Sequence, residues 1–484
     1  MKINKFSSKS FTLLFIILIG FSSCLDKGSE NSSSSKVTYE SIDWDLKDIK
    51  KLGKIRALTV YSATTYFLYK GRPMGYEYEL LKRFAEHLGL ELELIVVQNI
   101  DELFEKLNNG EGDIIAHGLT ITKERKKEVA FTDYLYLTKQ VLVQKKPDNW
   151  RTMHWHKLEN AMVHDAIELL NDTVHIRANS AYKERIQNLS EELGGPIHIK
   201  ELPGELSTDQ IIQNVAQGEY EYTISDYNIA SIMEANFPVL DISVPVSFSQ
   251  RIAWVTRLSS PDLLKATNKW LKTMKRKVDY NVIYNKYFKN KKAFRSRAKS
   301  QFYSLNKNQI SPYDKILKNY SKTLNWDWLL LTSQVYQESR FDPKDKSWAN
   351  AEGLMQIMPA TAKDLGVTDP TDPEQSIRGG TKYLKQIWSN FEKVTDSIQR
   401  IKFTLASYNC GLYHVIDAQR LALKKGLDPE KWDDNVELMI LELSKPKMYN
   451  DPVVKYGYVR GIEPYNYVIQ IFERYELYKQ VINT

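Results

Sequence analysis

Cysteine is almost missing from this chain: there are two in 484 residues, Cys24 and Cys410. That is too few for a disulfide framework. The eight histidines show no ligand spacing such as His-Glu-x-x-His, and no glycine loop of the phosphate-cradling kind appears. Neither a metal nor any other cofactor is therefore expected. No internal repeat is visible, which excludes solenoids and propellers. The apolar run near the amino end, residues 11–19, is well short of the roughly 20 residues that cross a bilayer. What is present is the balance of a soluble globular chain, 42% hydrophobic and 26% charged. Its length exceeds what one core usually holds, so two or three domains are expected.

The amino end carries an address. Lys2, Lys5 and Lys9 precede the apolar run, and Gly20, Phe21, Ser22, Ser23 and Cys24 follow it, the layout of a secretory signal. Ser22-Ser23-Cys24 resembles the bacterial lipobox, with Phe21 where that pattern usually has Leu. The resemblance implies that Cys24 becomes the lipidated first residue of the mature chain; the residues alone leave open a simple cleaved signal. The expected division begins with a signal over 1–23 and a Ser-rich tether over 24–45. A lipid-anchored protein of the outer membrane, facing the periplasm, does not meet nucleic acid. Cys410 then stands alone, a small filler rather than a nucleophile.

Charge is uneven. The formal net charge is +7, yet residues 265–307 hold fourteen Lys or Arg against one acid, Asp279. Such a block suits anionic headgroups or acidic wall polymer. The plainer expectation is a solvated basic linker, 276–310, lying against acidic neighbours.

Strand and helix patterns alternate through 46–275. The pattern predicts strands at 57–60, 90–97, 113–116, 174–176 and 222–224, and helices over 78–88, 100–107 and 180–193. This implies two α/β lobes in tandem with largely parallel sheets, enclosing a cleft at the carboxyl ends of the strands. From 311 to 484 the periodicity is helical, predicting an all-α domain.

Gly75-Tyr76-Glu77-Tyr78-Glu79-Leu80, Leu107-Asn108-Asn109-Gly110-Glu111-Gly112-Asp113, Gly118-Leu119-Thr120-Ile121-Thr122-Lys123-Glu124-Arg125 and Phe131-Thr132-Asp133 together resemble the family 3 extracellular solute-binding proteins. The resemblance implies a periplasmic-binding-protein-like fold. It also implies that Arg125, with Thr120 beside it, holds a ligand carboxylate, and that Asp226 of the second lobe accepts the ligand's amino group. An Arg fork suits a carboxylate through paired charge-assisted hydrogen bonds. An amino acid or muropeptide is the expected ligand, with a regulatory role. Read without the resemblance, Arg125 belongs to a solvated charged run and Asp226 to a helix N-cap.

In the helical part, Trp328, Leu331, Val335 and Glu338 are spaced by three, four and three, one stripe of a helix. A carboxyl on a core-facing stripe is desolvated and stays protonated near neutral pH, as a general acid must. The alternative is a helix-end carboxylate paired with Arg340. Glu338-Ser339, Gly353-Leu354-Met355-Gln356-Ile357-Met358-Pro359, Ser407-Tyr408-Asn409 and Tyr467-Val468 follow in an order that resembles the lytic transglycosylases related to goose-type lysozyme. Ser407 stands where that family usually has Ala. The resemblance implies a lysozyme-like fold that cuts peptidoglycan glycan strands between N-acetylmuramic acid and N-acetylglucosamine. Glu338 would be acid and then base, closing a 1,6-anhydro ring. Ser339 and Asn409 would orient the acetamido group, while Gln356, Tyr408 and Tyr467 line the cleft. Met355 would pack on the sugar or serve as core. A water-using muramidase with a second carboxylate (Glu352, Asp345 or Glu463), or a non-catalytic wall-binding scaffold, stays open at this point.

Overall fold

The computed structural model describes residues 42–97, 99–306 and 309–482. The expected signal, most of the tether and Cys24 lie outside them. Among the described residues thirteen strands run in chain order: β1 Lys54–Val60, β2 Phe67–Tyr69, β3 Arg72–Met74, β4 Glu91–Val97, β5 Ile114–Thr120, β6 Val129–Phe131, β7 Tyr136–Thr138 and β8 Gln140–Lys145. Then come β9 Thr173–Arg177, β10 His198–Leu202, β11 Tyr222–Asp226, β12 Leu240–Asp241 and β13 Gln250–Arg257.

The first lobe's sheet has the order β4-β1-β5-β13-β6, with β7 also on β13; the second lobe's has β10-β9-β11-β8-β12. β1 pairs in parallel with β4 and β5, and β9 with β10 and β11. β1 is buried along nearly its whole length, as a strand covered on both faces must be. The lobes are not in tandem, as the local pattern suggested. β13 returns antiparallel to β5 in the first sheet, so the second lobe is inserted into the first and both sheets are mixed. Long-range pairing of this kind leaves no local periodicity from which to read it.

β2 and β3 form a hairpin whose loop, Lys70-Gly71, has φ of 51° and 69°, the doubly positive combination of a type I′ turn. The basic stretch is helical: Pro261–Met274, Val278–Tyr284, a π turn Asn285–Lys289 and Lys291–Ala298. It packs on the front domain through pairs such as Lys286–Glu79 at 2.5 Å and Lys291–Glu234 at 3.2 Å. Arg297 within it is buried, its guanidinium over Phe67 and Tyr287.

The remainder is all-α. Helix Trp328–Ser339 starts at Asp327, whose side chain accepts from Leu329 N at 2.9 Å, and stops at Arg340 in the left-handed region. It packs on the C-terminal helix Ile462–Ile482, which in turn packs on Ser397–Cys410. One hydrophobic core runs from the first lobe through the hairpin into these helices. No helix among the described residues is long and apolar enough to cross a membrane.

Candidate active site

Glu338 lies in the last turn of helix Trp328–Ser339, below a stripe of buried Leu331 and Val335. Its carboxyl is pushed up to about 7 by burial, opposed only by a hydrogen bond that Tyr467 Oη donates to Oε1. Arg340 is exposed and forms no ion pair with it, so Tyr467 is the partner where a helix-end pair was the alternative. Tyr408 lies close enough for the Glu338 charge to raise its own pKa, and its hydroxyl donates to Met355 O at 2.8 Å. Gln334, one turn before Glu338, is fully buried beside Tyr467. The sequence reading missed it, although the four-residue spacing was available as a signal.

Glu338 opens onto a cleft of about 900 Å³ lined on one side by Gln337, Ser339, Arg340, Asp342 and Asp345. The opposite wall comes from the front domain, with Tyr69, Lys70, Arg72 and Met74 of the hairpin among its residues. The hairpin is fixed there. Arg72 Nε donates to Tyr336 Oη at 2.8 Å, and Tyr478 Oη to Gly71 O at 3.1 Å.

Of the other motif residues only Ser339 is among that cleft's lining; Met355, Gln356, Tyr408, Asn409 and Tyr467 are not. Asn409 is exposed at the end of helix Ser397–Cys410. Ser339 is buried, its hydroxyl engaged with Leu354 O at 2.9 Å and Val335 O at 3.2 Å, which ties the helix to the following loop. Gln356, at φ 47°, donates to Asp345 O and Gly353 O and so holds the cleft wall. Met355 is fully buried against Gly380, a core position. Of the rival carboxylates, Glu352 pairs with Lys346 at 2.7 Å and Glu463 with Arg460 at 2.8 Å, while Asp345 faces the cleft. Burial pushes the Cys410 thiol up to about 12, so it stays protonated.

In the front domain, Arg125 opens a short 3-10 turn and donates to Thr120 O at 3.3 Å and to Asn179 O of the second lobe at 3.2 Å. It lines a pocket of about 500 Å³ with Asp101, Glu124 and Glu184. Asp226 is not on that pocket; it is buried at the end of β11. It stands at the N-cap of helix Tyr227–Asn236 but makes no capping hydrogen bond. His117, on β5, is lowered to about 3 by burial and by the charges of Arg177 and Arg125, hence neutral. Arg177 and His117 were not foreseen, though Arg177 ends β9, where ligands of such sheets gather.

Two family models match the chain. Residues 54–290 match bacterial extracellular solute-binding proteins, family 3, and residues 315–429 match the transglycosylase SLT domain. The membrane-bound lytic murein transglycosylase F of Desulfosudis oleivorans is 32% identical, covering 89% of this chain and 91% of that one. The protein of that name from Yersinia pestis is 31% identical over 89% and 85%. The chain belongs to the membrane-bound lytic murein transglycosylase F family.

Among solved structures, holo ArgBP from T. maritima is 26% identical, with a TM-score of 0.39, covering 50% of this chain and 99% of that one. An ancestral arginine-binding protein bound to arginine is 23% identical, with a TM-score of 0.41, over 49% and 98%. The family's two parts account for the two-lobed α/β domain followed by a lysozyme-like helical one. Glu338, Ser339, Met355, Gln356, Tyr408 and Asn409 fall within the transglycosylase match, whereas Tyr467 lies beyond its end.

Proposed function

We propose that this chain cleaves the β-1,4 bond between N-acetylmuramic acid and N-acetylglucosamine in peptidoglycan without water, leaving 1,6-anhydro ends. The observation that carries this is the Glu338 carboxyl, raised to about 7, open to a cleft and bonded to a neutral tyrosine. Tyr467 donates to Oε1, which leaves the proton on Oε2. That proton passes to the glycosidic oxygen as the bond to C1 breaks. The acetamido carbonyl of the muramic residue stabilises the cation-like carbon. The carboxylate then takes the proton of the sugar's own 6-hydroxyl as that oxygen closes on C1, and Glu338 ends as it began. Tyr408 and Gln356 hold the cleft wall, and the exposed amide of Asn409 is the group free to orient the acetamido.

Product analysis of digested sacculi by mass spectrometry tests the reading. Wild type is expected to release anhydro-muropeptides, and Glu338→Gln to lose at least about a hundredfold in rate. Reducing-end muramic acid would instead identify a hydrolase, with Asp345, which lines the cleft together with Asp342 and Glu79, the rival carboxylate of the sequence. Unchanged activity in Glu338→Gln would remove Glu338 from the chemistry.

The front domain, on this reading, holds an amino acid or muropeptide through Arg125, Thr120 and Asp226 and governs access to Glu338. The hairpin wall of the catalytic cleft supports that coupling. Lipid on Cys24 would tether the chain to the outer membrane, facing the periplasm. Fatty-acid labelling that persists in Cys24→Ala would contradict it.

A further inference from the structure

Trp348 is the most exposed large apolar side chain among the described residues, at 97%, although tryptophan is usually well covered. It does not sit on a loose segment. Ser347 O accepts from Asn350 N at 3.0 Å, so Trp348 occupies the second position of a β-turn. Below the turn, Ser347 N donates to Ala351 O at 2.9 Å and Ala351 N to Ser347 Oγ at 2.9 Å, while Lys346 pairs with Glu352 at 2.7 Å. Gly353 N donates to Asp345 O at 3.0 Å and closes the base. Asp345 is one of the residues lining the Glu338 cleft. Trp348 follows it by three residues, a chain length of about 11 Å at most. The loop is a braced finger on the cleft rim, with an uncovered indole at its tip.

The neighbours limit what can cover that indole. Lys344, Asp345, Lys346 and Asn350 are exposed around it, and Ser347 is half-buried. Trp348 is thus a single flat apolar surface inside a polar rim of mixed charge. A protein partner or a bilayer is met by several apolar side chains together. A pyranose ring matches the arrangement better: one face presents C–H bonds to an aromatic plane, and its edge presents hydroxyls to ammonium, carboxylate and amide groups.

We propose that Trp348 is an outlying sugar subsite of the catalytic cleft. Its indole stacks on a residue of the glycan strand beyond those held at Glu338, so that long strands bind better than short ones. Trp348 touches no reacting atom and is a binding residue, not a catalytic one. Because the finger is already braced, little chain entropy is lost when the strand arrives. The inference rests on the reading that the cleft takes peptidoglycan glycan, and it adds the side of the cleft over which the strand runs.

Glycan strands freed of peptide by an amidase and sorted by length are the probe, with the full-length chain in detergent. In a Glu338→Gln background, Trp348→Ala should weaken binding of long strands by about fivefold or more. Trp348→Tyr should keep most of that binding, and Trp348→Leu should not. With Glu338 intact, the Trp348→Ala defect should appear as a raised KM on long strands and shrink on the shortest fragments still cut. The melting midpoint should stay at that of wild type, since the side chain is uncovered. Trp348→Ala binding long strands as tightly as the parent overturns the subsite. So does Trp348→Leu matching the parent, because a contact satisfied by any apolar side chain is not a stacked sugar. A defect of equal size at every strand length overturns it as well. If wild type releases no anhydro products from sacculi, the reading of the cleft fails and the subsite with it.

Discussion

Tyr467 and burial pull Glu338 in opposite directions. Burial favours the neutral carboxyl, whereas the donated hydrogen bond favours the charged one. Burial wins, and the group titrates at about 7. An acid that must be protonated loses rate as pH climbs through that value. Tyr467→Phe removes only the lowering influence, so the descending limb of the rate profile should move to higher pH, with a reduced maximum because the proton is no longer confined to one oxygen. A profile of anhydro-product release against pH checks this, and a shift to lower pH would exclude the hydrogen bond. Tyr467 stands 129 residues from Glu338 in sequence; only the family resemblance linked them. The stripe of 328, 331, 335 and 338 was legible because helical spacing is local. That Met355 is core and Ser339 a tie was not, since a motif names residue types without saying which way they face.

At the scale of elements, much of the motif-bearing loop after helix Trp328–Ser339 is support. Gly353 has φ 82°, and a Cβ there would stand 1.8 Å from Pro370 O, so no side chain fits. Gly353→Ala should cost about 3 kcal/mol or more and displace the wall that Gln356 holds. A fall in melting midpoint together with lost activity is the expected result; full activity at wild-type stability would contradict it. Helices and strands with several periods were readable: the expected 57–60, 78–88, 180–193 and 222–224 fall on elements at 54–60, 76–88, 181–193 and 222–226. The β2–β3 hairpin was not, because three-residue strands carry too little alternation and Lys-Gly is a weaker turn signal than Asn-Gly. That omission hid one wall of the catalytic cleft.

In the whole molecule, the first lobe and the catalytic helices share a core instead of meeting at a polar seam. Gly71 shows how close the approach is: a Cβ there would lie 2.6 Å from Tyr336, 2.7 Å from Phe341 and 2.7 Å from Tyr478. Separate domains usually melt separately across small polar interfaces. Here scanning calorimetry should find the first lobe and the catalytic domain unfolding in one transition, which Gly71→Val lowers for both. Two independent transitions, with the catalytic one unmoved by Gly71→Val, would show that the interface carries no cooperativity. The return of β13 has its own consequence. Synthesis runs from the amino end, so β5 is made long before the strand that will cover its flank, and the whole second lobe emerges in between. Until then the first lobe presents an open sheet edge, a template for pairing with any extended chain nearby. The newborn protein is therefore most exposed to misassociation in the interval before residue 257 appears, and the inserted lobe sets how long that interval lasts.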